Sequence, residues 1–383
     1  MAGITITKTK LSTKPSTGAG AQLESKSGYK FAGSNFLNTA EVPQQAFVEL
    51  VERALRLKQA GYAQPLLEGM VVGMVFFNPS LRTKTSLASG VARLGGTAID
   101  LSGSYTFEFE DGAIMDGATQ EHIKEAAPVI SQYCDIIGVR SSELITSGSS
   151  AADASGTWAE ARKDTIVRSF AEYATVPVIN LESNTYHPCQ GLGDALTLKE
   201  QFGETKRKKY VLTWAYHPKP LPTATPHSQL MSAIDMGCDV TLAFPEGWDL
   251  DPEVMAAAEA RSIEAGGSLA ISHDMAAAAD SADVICAKSW GAISHYGDWE
   301  TERAIRQELK HWIVDESIMA RTNDARFMHC LPVRRNVVVS DGVLDSPNSI
   351  VVPQAGNRMY AQNALLVSLL GRWGAFDASQ AGF

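Results

Sequence analysis

The sequence predicts an α/β protein made of two doubly wound parallel-sheet domains. The chain has 383 residues, and a single hydrophobic core stops growing at about 250–300 residues, so two domains are expected. Short β-branched runs alternate with helical segments from about residue 70. Repeated βα units of this kind build parallel sheets that are covered by helices. The hydrophobic and charged fractions, 45% and 20%, are ordinary for a globular protein.

Ten runs are predicted as strands, and helices of about ten to fifteen residues fit between most of them. In the first predicted helix Leu87, Val91 and Leu94 lie on one face, and Gly95 and Gly96 supply the stop. The predicted strands are Val71–Phe77, Thr97–Leu101, Asp135–Val139, Val176–Leu181, Tyr210–Trp214, Asp239–Phe244, Ser268–Ser272, Asp283–Ala287, Trp312–Val314 and Phe327–Leu331.

The predicted join between the two domains lies near residues 183–187. The first domain is expected over 33–185 and the second over 186–352, followed by a C-terminal helix over 353–383 that packs back on the first domain. Residues 1–32 are rich in Lys, Ser, Thr and Gly, which predicts a disordered extension. This segment lacks the apolar core of a secretion signal; a transit peptide is the alternative, although the segment has no arginine.

Charge and cysteine usage exclude several function classes. The formal net charge is −10, which argues against nucleic acid or an anionic membrane as a partner. The five cysteines show no CxxC spacing, so reduced thiols in the cytoplasm are expected. No apolar run reaches the roughly 18 residues that span a bilayer. The eight histidines show no ligand spacing, and we expect neither a metal nor another cofactor.

The stretch "FFNPSLRTKTS" ends the first predicted strand and opens its helix. It carries Ser80, Arg82, Thr83 and Thr85. Free backbone N–H groups and the helix dipole attract anions at such a point, and an arginine fork matches phosphate oxygens. A simple N-cap is the alternative, but one hydroxyl would suffice for it. The pattern therefore favours a phosphate site.

Further polar clusters follow other predicted strands, where ligands bind in open α/β sheets. Arg140 ends one strand, and His187 and Gln190 follow another; the latter two could hold a carbonyl oxygen, as in an oxyanion hole. Three more strand ends carry His217, Lys288, Cys330 and Arg334. Each residue alone could be structural: the lysine could reach outward, the cysteine could pack in the core, and the arginines could be solvated. Their coincidence at one end of the strands indicates a shared site.

In this order, "FFNPSLRTKTS", "HPCQ" and "HCLPVRRN" resemble the aspartate/ornithine transcarbamylase family, which moves a carbamoyl group from carbamoyl phosphate to an amine. The resemblance runs from about Phe36 to Gly371. "MDGATQEHI", "AKSWGA" and "CLPVRRN" resemble the N-acetylornithine and N-succinylornithine branch. The resemblance implies a cytoplasmic homotrimer of arginine biosynthesis, with the active site in the cleft between its domains and each site shared between subunits.

The resemblance also implies residue roles. His187, Arg82, Gln190 and Cys330 are the expected catalytic residues. Glu182, His217, Lys288, Leu331 and Arg334 are expected to bind the N-acylated ornithine. Tyr105, where the branch usually has tryptophan, is expected to reach a neighbouring subunit's site. The expected carbamoyl-phosphate contacts are Ser80, Leu81, Arg82, Thr83, Tyr105, Arg140, His187, Pro188, Cys189, Gln190, Cys330, Leu331 and Arg358.

The acyl group of the acceptor is the open question. Gln120 occupies a position where the acetyl branch has glutamate and the succinyl branch proline; its neutral amide would not repel a succinyl carboxylate. More of the chain agrees with the acetyl branch, so we expect N2-acetyl-L-ornithine as the acceptor. N2-succinyl-L-ornithine, or acceptance of both, is the alternative. A non-catalytic phosphate-binding protein of the same fold is a further alternative.

Overall fold

The computed structural model describes residues 25–62, 64–103, 106–142, 157–377 and 379. The strands are β1 Val71–Phe76, β2 Thr97–Asp100, β3 Phe107–Glu108, β4 Glu121–His122, β5 Ile136–Arg140, β6 Val178–Glu182, β7 Lys209–Trp214, β8 Asp239–Ala243, β9 Ser268–Ser272, β10 Val284–Lys288 and β11 Arg326–Met328. The helices are α1 Gln44–Ala60, α2 Leu81–Arg93, α3 Ile123–Tyr133, α4 Trp158–Ala161, α5 Thr165–Tyr173, α6 Pro188–Phe202, α7 Ala224–Asp235, α8 Pro252–Ala265, α9 Met275–Ala279, α10 Trp299–Gln307, α11 Glu316–Met319, α12 Asp341–Leu344 and α13 Val351–Leu369.

Two parallel sheets form the framework, as the βα alternation predicts. The first has the strand order β2-β1-β5-β6, and the second has the order β11-β10-β7-β8-β9. Strands β1, β5, β6, β7 and β10 are buried almost throughout, because helices cover both faces of each sheet. The short strands β3 and β4 form a separate ribbon that the sequence did not predict.

Helices α6 and α13 hold the two halves of the molecule together. Helix α6 packs against α7 and α13, and α13 also packs against α1 and α2. A side chain at Gly191 would place its Cβ 2.7 Å from the Ser228 carbonyl oxygen, and one at Gly193 would place it 3.0 Å from the Arg358 side chain. These glycines therefore allow α7 and α13 to approach the first turns of α6.

The start of the described chain packs on α1. Ser25 and Ser27 donate hydrogen bonds to Glu49, and Phe31 is buried beneath the guanidinium of Arg53 at 4.7 Å from the ring centroid. Packed structure therefore begins before residue 33, inside the segment that the sequence assigned to the disordered extension; residues 1–24 of that segment lie outside the described part of the chain.

One predicted strand, Trp312–Val314, is wrong. Val314 makes only an isolated parallel bridge to Val339, because the neighbouring segment turns back on itself through the hydrogen bond from the Asn336 backbone to Val339. A partner that turns after one residue cannot extend a ladder. Among the helices of the described residues, none is long and apolar enough to cross a membrane.

Candidate active site

A cavity of about 570 Å³ lies where the strands of both sheets reach their carboxyl ends. Six strands, β1, β5, β6, β7, β10 and β11, each deliver a site residue at their last position or within a few residues of it. The lining residues are Pro79, Ser80, Leu81, Arg82, Thr83, Arg140, Glu182, His187, Gln190, His217, Lys219, Leu221, Pro222, Thr225, Lys288, Cys330, Leu331, Pro332, Val333, Arg334 and Arg358.

The charge of this lining is opposite to that of the whole protein. It includes one carboxylate, Glu182, and six cationic side chains, those of Arg82, Arg140, Lys219, Lys288, Arg334 and Arg358. The chain as a whole carries a formal charge of −10. Such a concentration of cations in a concave site attracts an anionic ligand.

The amino terminus of α2 forms one wall of the cavity. Ser80 is its N-cap and accepts a hydrogen bond from the Thr83 backbone N–H at 3.3 Å. Thr83 is buried, and its hydroxyl accepts a hydrogen bond from Arg358 Nη2 at 2.7 Å. Helix α13 therefore places a second guanidinium beside the helix terminus that also bears Arg82. Backbone N–H groups, hydroxyls and arginine forks at one helix terminus suit a phosphate group.

Arg140, Glu182 and His187 form the floor between β5, β6 and α6. Arg140 Nη1 pairs with Glu182 Oε2, and His187 Nε2 lies 3.6 Å from the same carboxylate oxygen. The Nε atom of Arg140 and the Nδ1 atom of His187 are buried with no hydrogen-bond partner among the described residues. Unpartnered buried polar atoms are rare in folded proteins, so this floor has hydrogen-bonding capacity left for a ligand.

Burial and positive neighbours hold His187 neutral. Its pKa lies well below the ordinary value because the ring is buried and faces Arg358, Arg140 and Lys288. Its backbone N–H donates to Ser228 Oγ on α7 at 2.8 Å, and Pro188 follows it at the first position of α6. The ring is thereby fixed at the helix amino terminus as a neutral donor, one turn of backbone from Gln190.

The opposite wall carries His217, Lys288 and Arg334. Arg334 Nε donates to His217 Nε2 at 3.0 Å, while His217 Nδ1 lies 2.8 Å from the Lys219 carbonyl oxygen. Burial lowers the pKa of His217 to about 4, so the ring is neutral and accepts from the arginine. Lys288, at the end of β10, is half-buried and lines the cavity.

Cys330 and Leu331 close the cavity after β11. The Leu331 backbone has φ of 57°, a left-handed conformation that is strained for a leucine and that occurs preferentially at ligand sites. Burial raises the pKa of the Cys330 thiol. A neutral, buried thiol is a poor nucleophile, so the contribution of this segment is to shape the cavity with its backbone.

Most of the predicted site residues line this one cavity, and the exceptions have distinct locations. Pro188 and Cys189 are buried in the first turn of α6 behind it; burial raises the pKa of Cys189 to about 12. Thr85 is exposed on α2 and does not line the cavity. Gln120 is exposed, with its backbone N–H bonded to the Thr106 carbonyl oxygen, and does not reach the cavity of its own chain. Tyr105 lies outside the described residues.

Sequence reasoning missed Lys219 and Thr225, which also line the cavity. Lys219 stands in "HPKPL", two residues after His217, and the strand-end rule that selected His217 could have found it. Thr225 lies in the first turn of α7 and no local pattern distinguishes it. Within the described residues, no three His, Cys, Asp or Glu side chains cluster as metal ligands.

Comparison with known proteins agrees with this geometry. The family model of the aspartate/ornithine carbamoyltransferase carbamoyl-P binding domain matches residues 34–200, and that of the Asp/Orn binding domain matches residues 222–369. An N-acetylornithine carbamoyltransferase of Xanthomonas campestris pv. campestris is 45% identical over 344 residues, which are 88% of this chain and 98% of that protein. An N-succinylornithine carbamoyltransferase of Bacteroides thetaiotaomicron is 39% identical over 304 residues, 78% of this chain and 86% of that protein.

A solved structure shares the fold. The crystal structure of an acetylornithine transcarbamylase complexed with acetylcitrulline superposes with a TM-score of 0.82 at 45% identity, covering 88% of this chain and 99% of that one. The two family-model matches include the first sheet, four of the five strands of the second sheet, and every cavity-lining residue except His217, Lys219 and Leu221. This chain belongs to the aspartate/ornithine carbamoyltransferase family.

Proposed function

We propose that the protein transfers the carbamoyl group of carbamoyl phosphate to the δ-amine of N2-acetyl-L-ornithine, giving N-acetyl-L-citrulline and phosphate in arginine biosynthesis. The observation that carries this proposal is the single cavity that joins the α2 amino terminus, His187 with Gln190, and the cationic wall of His217, Lys288 and Arg334. These three parts match a phosphate, a carbamoyl group and an amino-acid carboxylate, in that order.

The phosphate would lie against the amino terminus of α2. Ser80, Arg82 and Thr83 line that terminus, with Leu81 beside them, and Arg140 and Arg358 flank it. Charge-assisted hydrogen bonds from guanidinium groups are about twice as strong as neutral ones. Arg140 is paired with Glu182, so phosphate would compete with this carboxylate for the guanidinium.

The carbamoyl carbonyl oxygen would lie between His187 and Arg82. A neutral imidazole donates one hydrogen bond and carries no charge that would attract the phosphate away from its own site. Gln190 and the backbone around Cys330 and Leu331 would hold the carbamoyl nitrogen. Donors aimed at an oxygen on which charge develops typically contribute about 10²–10³ in kcat each.

The acceptor would bind between the carbamoyl group and the opposite wall. Lys288 and Arg334 offer cations for its carboxylate, with His217 holding the arginine, and Glu182 lies near the point where the δ-amine would arrive. The amine attacks the carbamoyl carbon as the C–O bond to phosphate breaks, and the nitrogen then loses its proton to the departing phosphate. Both reacting groups come from the substrates, so the enzyme supplies positioning and electrostatic stabilisation.

Use of N2-succinyl-L-ornithine is a second candidate, and Gln120 is the observation that favours it. This residue has a neutral side chain where a glutamate would repel the additional carboxylate. We infer that Gln120 acts across a subunit contact, because it is exposed and does not line the cavity of its own chain. That inference requires a homotrimer with shared sites, in which Tyr105 would lie in the same contact. We also propose that the protein is cytoplasmic and that its two domains meet between residues 185 and 186.

The decisive experiment is a ureido-product assay with carbamoyl phosphate and, separately, ornithine, N-acetylornithine and N-succinylornithine. Turnover with N-acetylornithine and none with ornithine is the expected result. Turnover with the succinyl compound alone would replace the acetyl assignment by the second candidate. Turnover with ornithine alone would refute both acyl assignments, and absence of turnover with all three would favour a non-catalytic phosphate-binding protein.

A further inference from the structure

A fully buried carboxylate, that of Asp194, lies beneath the cavity and accepts hydrogen bonds from three glutamine side chains. Gln190 Nε2 donates to Oδ1 at 2.8 Å, Gln354 Nε2 donates to Oδ1 at 2.6 Å, and Gln229 Nε2 donates to Oδ2 at 3.1 Å. All four side chains are at most 1% exposed. The three amides come from α6, α13 and α7, so the carboxylate joins three helices at one point.

One of these three amides, that of Gln354, also forms a hydrogen bond with the segment on the other side of the site. Gln354 Oε1 accepts a hydrogen bond from the His329 backbone N–H at 2.9 Å, and His329 Nδ1 accepts one from the Leu331 backbone N–H at 2.9 Å. A continuous chain of hydrogen bonds therefore runs from Gln190 through Asp194 and Gln354 to Leu331. Its two ends are the two groups that face the carbamoyl nitrogen in the proposed function.

We propose that Asp194 and Gln354 are positioning residues that hold Gln190 and the 329–331 segment at a fixed separation, so that both contact the same carbamoyl group. This inference rests on the proposed function of the cavity. The free-energy cost of burying Asp194 is consistent with such a role. An unpaired carboxylate in the interior is strongly unfavourable, and the hydrogen bonds donated by the three amides offset that cost. A core position with no role in the site could be filled by leucine at lower cost.

Gln229 provides a matched control inside the same network. Gln229 and Gln354 are equally buried and each donates one hydrogen bond to Asp194. Gln229 otherwise contacts Cys286 Sγ, at 3.2 Å, and does not reach the 329–331 segment or the cavity. Gln354→Leu breaks the link between the two halves of the site, whereas Gln229→Leu removes a donor of the same kind and leaves the link intact.

The protonation state of Asp194 gives a second readout. Burial raises its pKa to about 6, against the opposing effect of the three amides. Tyr210, Cys286, Cys330 and Arg358 also face it from β7, β10, the segment after β11 and α13, and Arg358 is the charged member of this group. Protonation of Asp194 converts one of its acceptor oxygens into a hydroxyl donor that faces an amide N–H donor. The network therefore loses a hydrogen bond as pH falls through about 6.

The test measures kcat, the KM for carbamoyl phosphate, its Kd by calorimetry and the Tm of the full-length protein. Gln354→Leu should lower kcat at least tenfold and raise the Kd for carbamoyl phosphate at least fivefold. Gln229→Leu should change kcat and this Kd by less than about twofold, although its Tm should be similar to that of Gln354→Leu. The wild-type kcat should decline below about pH 6, and Asp194→Asn should lower kcat and remove this decline.

Equal losses in the two glutamine variants, or an unchanged kcat and Kd in Gln354→Leu, would overturn the proposal. An unchanged acid limb in Asp194→Asn would also overturn it. If Asp194→Asn does not fold, the glutamine pair still decides the matter. A wild type without turnover would refute the proposed function instead, and the carbamoyl phosphate Kd of the two glutamine variants would then test the positioning role by itself.

Discussion

Replacing Glu182 by glutamine should destabilise the protein in a way that phosphate repairs. Glu182 and Arg140 form an ion pair whose side chains are 9% and 11% exposed. Removing one partner of a buried pair leaves an uncompensated charge and costs about 3–5 kcal/mol. Arg140 borders an open cavity, where water screens part of its charge, so a loss of about 2–3 kcal/mol is expected here. Such a loss lowers the Tm by roughly 4–12 °C.

Phosphate should restore much of this stability, because it supplies the counter-charge that the variant lacks. In the wild type the anion must displace Glu182 from Arg140. In Glu182→Gln the guanidinium is free, and the carboxylate that would repel the anion is absent. We therefore expect phosphate to bind the variant about tenfold more tightly, which is worth about 1.4 kcal/mol. The rise in Tm on adding saturating phosphate should be larger for the variant by the corresponding amount.

Glu49→Gln is the matched control. Glu49 pairs with Arg53, and their side chains are 9% and 7% exposed, which resembles the burial of the first pair. This second pair lies on α1, with Arg53 over the Phe31 ring, and neither residue lines the cavity. Its loss should lower the Tm without any additional response to phosphate. If both variants respond equally to phosphate, or if Glu182→Gln melts with the wild type, Arg140 is not the phosphate contact that we infer.

Other predictions concern single side chains. His187→Ala should lower kcat about 10²–10³-fold at an unchanged Tm, and a smaller loss would remove it from the reaction. Gln120→Glu should lower kcat/KM for N-succinylornithine relative to N-acetylornithine; an unchanged ratio would exclude Gln120 from the acyl site. The five buried cysteines should react with a thiol reagent only after unfolding. His227 is fully buried, which lowers its pKa to about 4; the unfolded chain then binds more protons between about pH 6.5 and 4, so stability is lost as pH falls through this window. His227→Gln should flatten that loss in urea titrations.

The sheets were predictable because their strands read as buried β-branched runs. Nine of the ten predicted strands occur, with ends that differ by at most a few residues. The failure at Trp312–Val314 shows what the local pattern lacks: a strand needs a partner of matching length, and the segment beside Val314 turns back at Val339. Apolar composition fixes burial, whereas pairing depends on residues that are distant in the chain.

Much of the candidate site was predictable for a related reason. Parallel strands end at a common edge, so polar residues that follow separate strands converge without any knowledge of the loops between them. That rule selected Ser80, Arg140, His187, Lys288 and Cys330, and all of them line the cavity. It could not select Glu182 for its pairing with Arg140, because the register of β5 and β6 decides which side chains meet.

The hydrogen-bond network of Asp194 could not be predicted from the sequence, for a different physical reason. In α6 every residue from Pro188 to Leu198 is buried, so this part of the helix has no solvent face against which an acidic residue would stand out. Gln354 lies 160 residues away along the chain, and no local pattern relates the two. Strand ends indicate where a site can form. The separation between Gln190 and Leu331, however, depends on α13, the last long helix of the described chain. A substitution in the first turn of α13 should therefore alter carbamoyl transfer even though Gln354 does not line the cavity.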